Sequence, residues 1–174
     1  RSLVGSEMCI RDSTDGVFTA FGPGLAQQYE AQGGDLAAIE VVDLGGKLVC
    51  PPFCDTHLHL DYVFTARKPG AVNESGTLFE GIQRWSETKS DLTVDEIKQR
   101  AKIGIKKEML HGVQLIRSHA DVTDPNLTSL KALLELKEEL KDTVTLQIVS
   151  FPQEGMYSYE GPHGESGAEL VEEG

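Results

Sequence analysis

Beyond residue 51 the chain alternates between short β-rich runs and longer stretches of helical periodicity, which confines it to a parallel α/β architecture. The first strand grows out of the apolar run Lys47 to Cys50 and ends near His59. A short helix follows from Thr77 to about Thr88. Thr93 and Glu96 form a capping-box pattern. It opens a helix whose stripe runs through Ile97, Ala101, Ile105 and Met109 and which stops at Gly112. Val113 to Ser118 is the second strand. Asp124-Pro125 sets a capping acid before a first-turn proline. Leu130, Leu133, Leu134 and Leu140 mark the buried face of the next helix, which ends near Asp142. Val144 to Phe151 is the third strand, and the chain reaches Glu173-Gly174 in the start of a further helix. Right-handed crossovers make the three strands neighbours in chain order.

Upstream, Asp15-Gly16 is a turn signal before the short apolar run Val17 to Phe21. Gly22 to Asp35, rich in Gly and Gln, reads as a loop. Ile39 to Val42 and Lys47 to Cys50 read as two strands joined through Asp43-Leu44-Gly45-Gly46 in a hairpin. Nothing before Ser13 has strand or helix periodicity. Leu3 to Asp12 back-translates to a codon run that resembles a transposase sequencing adaptor, so residues 1–13 are read as a non-native segment, Cys9 included.

The chemistry is concentrated in PPFCDTHLHLD, Pro51 to Asp61. Alternate side chains of a strand share a face, so Asp55, His57, His59 and Asp61 point one way and Thr56, Leu58 and Leu60 the other. Two imidazoles on one strand face reach a single divalent cation, and neutral imidazole suits zinc or iron. Asp61 either orients one of these ligands or bonds loop amides. His119 and Asp121 share a face at the end of the second strand, where His119 either lines a pocket or is a satisfied strand-end histidine. His111 closes a helix as a capping residue. His163, in a Gly-rich stretch, is expected to be solvent-exposed. Cys50 and Cys54 have the opposite strand parity to the histidines and are read as small core residues. Phe79 and Trp85 are read as core. No histidine is accompanied by a P-C-x-x-C, which argues against an H-x-E with P-C-x-x-C zinc site.

With 28 acidic and 16 basic residues the formal net charge is −12, which repels phosphate backbones and argues against a nucleic-acid partner. No apolar run approaches the ~20 residues of a membrane span. Three cysteines imply no disulfide framework, and a reducing cytoplasm is the expected compartment.

An apolar run, proline, an aromatic, Asp, a small residue and His-x-His resembles the first barrel strand of the amidohydrolase superfamily. NESGTLFEGIQRW (Asn73 to Trp85), IRSHADVTD (Ile116 to Asp124) and LQIVSFPQEG (Leu146 to Gly155) are similar to its cytosine deaminase branch, in the same order and spacing. The resemblance implies a (β/α)8 barrel beside a small β-sandwich built from both chain ends. Such a barrel takes ~250 residues, so 174 residues imply a truncated fragment. Residues 14–50 would then be part of the sandwich, and residues 51–174 the first three β/α units of the barrel. The implied cofactor is one divalent ion, Fe2+ or Zn2+, held by His57 and His59 and by further ligands beyond this sequence. That ion lowers the pKa of water for attack on C4 of cytosine, with ammonia leaving.

The resemblance also assigns Gln153 to the pyrimidine edge, where a primary amide matches the O2 and ring-nitrogen pattern. A loop glutamine bonding backbone is the alternative. Leu78 is the matching position whose backbone carbonyl faces the base. The proton-shuttling glutamate is expected downstream, and the full-length protein is expected to form a homo-oligomer. Other expectations are hydrolysis of a different cyclic C–N bond, as in an aminotriazine or creatinine, or a non-catalytic fragment.

Overall fold

A computed structural model describes the backbone of residues 2–6, 9–14 and 17–174, and the side chains of residue 20 and residues 22–174. The backbone divides into two compact units, residues 1–51 and 52–174.

The first unit holds a four-stranded sheet in the order β3-β2-β1-β4. Its strands are β1 (Ser2–Ser6), β2 (Cys9–Thr14), β3 (Val17–Gly22) and β4 (Glu40–Asp43). β1 and β2 run through the segment where the sequence shows no strand period. Their antiparallel backbone pairing, Ser2 opposite Ser13 through Ser6 opposite Cys9, needs no side-chain alternation. The Asp15-Gly16 turn lies outside the described residues.

Three expectations for this unit are corrected. Gly22 to Asp35 is not all loop, because it contains helix α1 (Leu25–Ala31). β4 pairs with β1 in parallel rather than with Lys47 to Cys50 in a hairpin. The turn itself forms, with the Gly45 amide donating to the Asp43 carboxylate at 2.8 Å. Its second arm does not, since Lys47 to Cys50 has no strand pairing and Leu48 is 91% exposed.

The second unit carries a three-stranded parallel sheet in the order β5-β6-β7. β5 spans Phe53–Leu58, so the first strand begins after the prolines rather than before them. Two helices follow, α2 (Leu78–Lys89) and α3 (Val94–Leu110), then β6 (Val113–Asp121), α4 (Thr128–Glu139), β7 (Thr145–Phe151) and α5 (Gly167–Glu173). Thr93 and Glu96 make the reciprocal capping box, and Ser166 with Glu169 makes a second one. α3 buries Ile97, Ala101, Gly104 and Ile105 on one stripe. Gly104 is a close-approach point, since a Cβ there would lie 3.3 Å from Leu60 Cδ2. The helix therefore packs directly over the chain leaving β5. Leu60, Ile116, Ala120, Leu133, Leu136 and Leu146 complete the core between helices and sheet.

α4 starts later than Asp124-Pro125 suggests. The Asp124 carboxylate accepts from the amides of Asn126 and Thr128, both at 3.0 Å, closing a turn before the helix. The helix phase this sets buries Leu136 and leaves Leu134 46% exposed, against the expectation for Leu134. Cys54 is exposed, not core, because β5 is an edge strand flanked by β6 alone, and Cys50 is exposed as well. Trp85 is buried, but Phe79, in the first turn of α2, is exposed. His111 caps α3 through its ring, 2.7 Å from the Lys107 carbonyl, and His163 is exposed.

Candidate metal centre and adjoining cavity

His57 lies in β5 and His59 directly after it, and their Nε2 atoms are 3.3 Å apart. Two nitrogens each ~2.1 Å from one cation at a near-tetrahedral angle would be separated by ~3.4 Å. The pair therefore has the spacing a single zinc-sized or iron-sized ion requires. His59 Nδ1 lies 3.0 Å from the backbone carbonyl of His119. A carbonyl only accepts, so Nδ1 carries the proton and Nε2 keeps its lone pair free for a metal. Burial lowers the His59 pKa, which favours the neutral ring that ligation needs. Among the described residues no group of three or more His, Cys, Asp or Glu side chains is arranged to hold a metal. The two imidazoles fit as part of a ligand set.

His119 stands beside them in β6. Its ring stacks on His57 with centroids 4.2 Å apart, and Phe151 at the end of β7 packs edge-on against both His59 and His119. Asp61 does not reach the histidine rings through a hydrogen bond. Its side chain accepts from the Asp121 amide at 2.8 Å and the Tyr62 amide at 3.2 Å, the loop-amide role. It is fully buried, and burial pushes its pKa up to about 7, with the nearby Asp121 adding to the rise and the Asp121 amide opposing it.

Tyr62 connects this cluster to a cavity. Its ring stacks on His59 at 4.7 Å on one side and leans on Trp85 at 4.7 Å on the other. The cavity, about 370 Å³, is walled by Tyr62, Thr77, Leu78, Trp85 and Gln153, with Asn73 and Gly76 from the loop before α2. Gln153 and Leu78, far apart in sequence, thus face one space. The Gln153 side-chain oxygen is buried without a hydrogen-bond partner among the described residues. Leu78 begins α2, with its side chain largely exposed.

Sequence reasoning did not single out Tyr62, Lys89 or Phe151, and it noted Asp121 only for sharing a face with His119. The Asp121 carboxylate is buried and accepts from Trp85 Nε1 at 2.6 Å and Lys89 Nζ at 3.1 Å. The signal available for it was an acid at the end of a parallel strand, where barrel sites are built.

The sequence profile of the amidohydrolase family matches residues 40–172. The chain belongs to the amidohydrolase family. Its relatives place it in the cytosine deaminase-like branch. It is similar to 5-methylcytosine deaminase from Klebsiella pneumoniae, solved with 5-fluorocytosine, at 41% identity and a TM-score of 0.78, covering 97% of this chain and 38% of that one. N-isopropylammelide isopropyl amidohydrolase of Pseudomonas sp. is 35% identical over 120 residues, 67% of this chain and 30% of that protein. Pterin deaminase of Rhizobium rhizogenes is 27% identical over 138 residues, 76% of this chain and 31% of that protein. The chain thus spans about a third of the length of these relatives. Within the family's α/β fold, the parallel sheet carries His57, His59 and His119 at the carboxyl ends of β5 and β6 or just beyond. No described helix is long and apolar enough to cross a membrane.

Proposed function

We propose that this chain is the amino-terminal part of a metal-dependent amidohydrolase that deaminates cytosine or a close ring analogue, converting cytosine and water to uracil and ammonia. On this reading β5, β6 and β7 are the first three strands of a (β/α)8 barrel, and the first unit is one side of a small β-sandwich. His57 and His59 hold one divalent ion, Fe2+ or Zn2+, together with ligands beyond this sequence. What such an ion supplies is Lewis acidity, which makes water a nucleophile at neutral pH.

The residues present account for binding and orientation. His119, through its carbonyl, holds the His59 ring in the ligating tautomer. Tyr62 and Trp85 offer aromatic surface to a planar ring. The observation that carries the assignment is the buried, unpartnered oxygen of Gln153 in the cavity shared with Leu78. A buried amide left unpaired costs about 1–3 kcal/mol, and a pyrimidine edge offers it both a donor and an acceptor. Similarity to a deaminase solved with 5-fluorocytosine supports the same substrate class. The partner is a small molecule; the formal charge of −12 disfavours nucleic acid. We place the full-length enzyme in the cytoplasm as a homo-oligomer without membrane attachment.

The relative named for N-isopropylammelide favours a second reading, hydrolysis of a different cyclic C–N bond, as in an aminotriazine or creatinine. Ammonia release by the full-length gene product, compared on cytosine, an aminotriazine and creatinine, separates them. Cytosine is expected to have the highest kcat/KM. Faster turnover of the triazine or creatinine would replace the pyrimidine assignment, and no turnover of any of them would remove both readings.

A further inference from the structure

The cavity walls come from elements that have no covalent reason to keep register: Trp85 from α2, and Gln153 from the turn after β7. One carboxylate joins them. Asp121 Oδ2 accepts from Trp85 Nε1 at 2.6 Å and Lys89 Nζ at 3.1 Å. Its Oδ1 accepts from the Thr123 backbone N–H at 2.8 Å, the Thr123 hydroxyl at 2.6 Å and the Gln153 backbone N–H at 3.4 Å. Lys89 is itself held on three sides: it donates to the Thr123 carbonyl and hydroxyl at 2.5 and 2.8 Å and pairs with Glu154, the neighbour of Gln153. Asp121 is 1% exposed, and its own amide donates to Asp61 at the end of the β5 segment.

We propose that Asp121 is the positioning residue of the ring pocket, setting where the Gln153 carboxamide stands relative to the Trp85 face, with Lys89 neutralising its charge. This rests on the cavity being a ring pocket that Gln153 reads. Asp121 does not line the cavity itself. Its effect on a substrate passes through two residues that do. A carboxylate suits this task because every one of the five contacts comes from a donor. A carboxamide at the same place turns its NH2 toward the two donors on one side or the three on the other, releasing either the Trp85 side or the Gln153 side. A purely structural salt bridge would instead lower stability and leave substrate discrimination alone.

The test is a double-substitution cycle in the full-length, metal-loaded enzyme, with Gln153→Ala, Asp121→Asn and the pair, measured on whichever ring the enzyme turns over fastest. Asp121→Asn is expected to raise KM at least about 10-fold, to change kcat less than about threefold, and to keep the metal content of the parent. Because part of the Asp121 effect passes through Gln153, the pair is expected to lose less kcat/KM than the product of the two single losses, a coupling that independent sites do not show. Multiplying losses, or an unchanged KM in Asp121→Asn, would overturn the proposal. If Asp121→Asn does not fold, Asp121→Glu, which keeps the charge and moves it by one methylene, enters the same cycle with the same expectation. If Gln153→Ala itself has no effect on the best substrate, the ring-pocket reading fails. A KM rise in Asp121→Asn alone would then show Asp121 acting through the Trp85 wall, and its absence would remove the positioning role as well.

Discussion

His59 donates a ring N–H to the backbone carbonyl of His119 at 3.0 Å, a contact that ties the end of β5 to β6 and decides which nitrogen of His59 is free. The free nitrogen is the one 3.3 Å from His57. The carbonyl belongs to a paired strand, so the tautomer is held by the sheet rather than by a mobile side chain.

Metal content should follow from that geometry. In the full-length protein His57→Ala and His59→Ala are each expected to lose nearly all bound metal, measured by elemental analysis after dialysis. The 174-residue chain, with two imidazoles and no third protein ligand among the described residues, is expected to bind zinc weakly and to release no ammonia from cytosine. Parent-level metal in His57→Ala would show that the ion sits elsewhere.

Gln153→Ala in the full-length enzyme removes the amide edge without touching either imidazole. With each lost buried hydrogen bond costing about 1–3 kcal/mol, kcat/KM for cytosine should fall at least ~30-fold, since 1.36 kcal/mol is tenfold. Metal content should stay at the parent value. Steady-state kinetics showing equal cytosine activity would leave Gln153 without a recognition role.

The loop before α2 should loosen in acid. The Ser75 side chain first, then the amides of Ser75 and Glu74, hold the Glu80 carboxyl down to about 2, against an ordinary 4.5. A carboxylate depressed on folding stabilises above its unfolded pKa and loses that contribution as pH falls through the folded value. The contact is therefore whole above about 4.5 and lost towards about 2. The protection of the Glu74 and Ser75 amides, measured relative to their intrinsic exchange rates, should fall across that window, and Glu80→Gln should leave it low at every pH. Constant protection in the parent would contradict the assignment.

Gly112→Ala tests the joint between α3 and β5. Gly112 has φ +87°, and its carbonyl accepts from the Phe53 amide at 2.9 Å. An alanine Cβ would meet Phe53 at an ordinary 3.4 Å, so backbone conformation is the main cost, about 1–2 kcal/mol. Chemical denaturation should show that loss, and an unchanged midpoint would mean the joint relaxes.

Much of the second unit was legible from local pattern. The capping box at Thr93 and Glu96, the stop at Gly112 and the stripe through Ile97, Ala101 and Ile105 all depend on residues within one or two turns of each other. Strand period likewise put His57 and His59 on one face, and the structure brings their nitrogens together. Lys47 to Cys50 misled because an apolar run becomes a strand only where a partner strand lies beside it. Leu134 and Cys54 misled for a related reason: an apolar side chain is buried only if a neighbouring element covers its face.

The sequence by itself determined the parallel α/β order, the ends of α2 and α3 and the histidine pair, because each is written in contacts between near neighbours. Only the tertiary structure decided that Asp61 bonds the Asp121 amide, that Gln153 and Leu78 share a cavity, and that Asp121 gathers Trp85, Lys89 and Thr123. The hydrogen bonds among these links join residues up to sixty positions apart. A hydrogen bond across that distance leaves no period in the chain and exists only once the strands have paired.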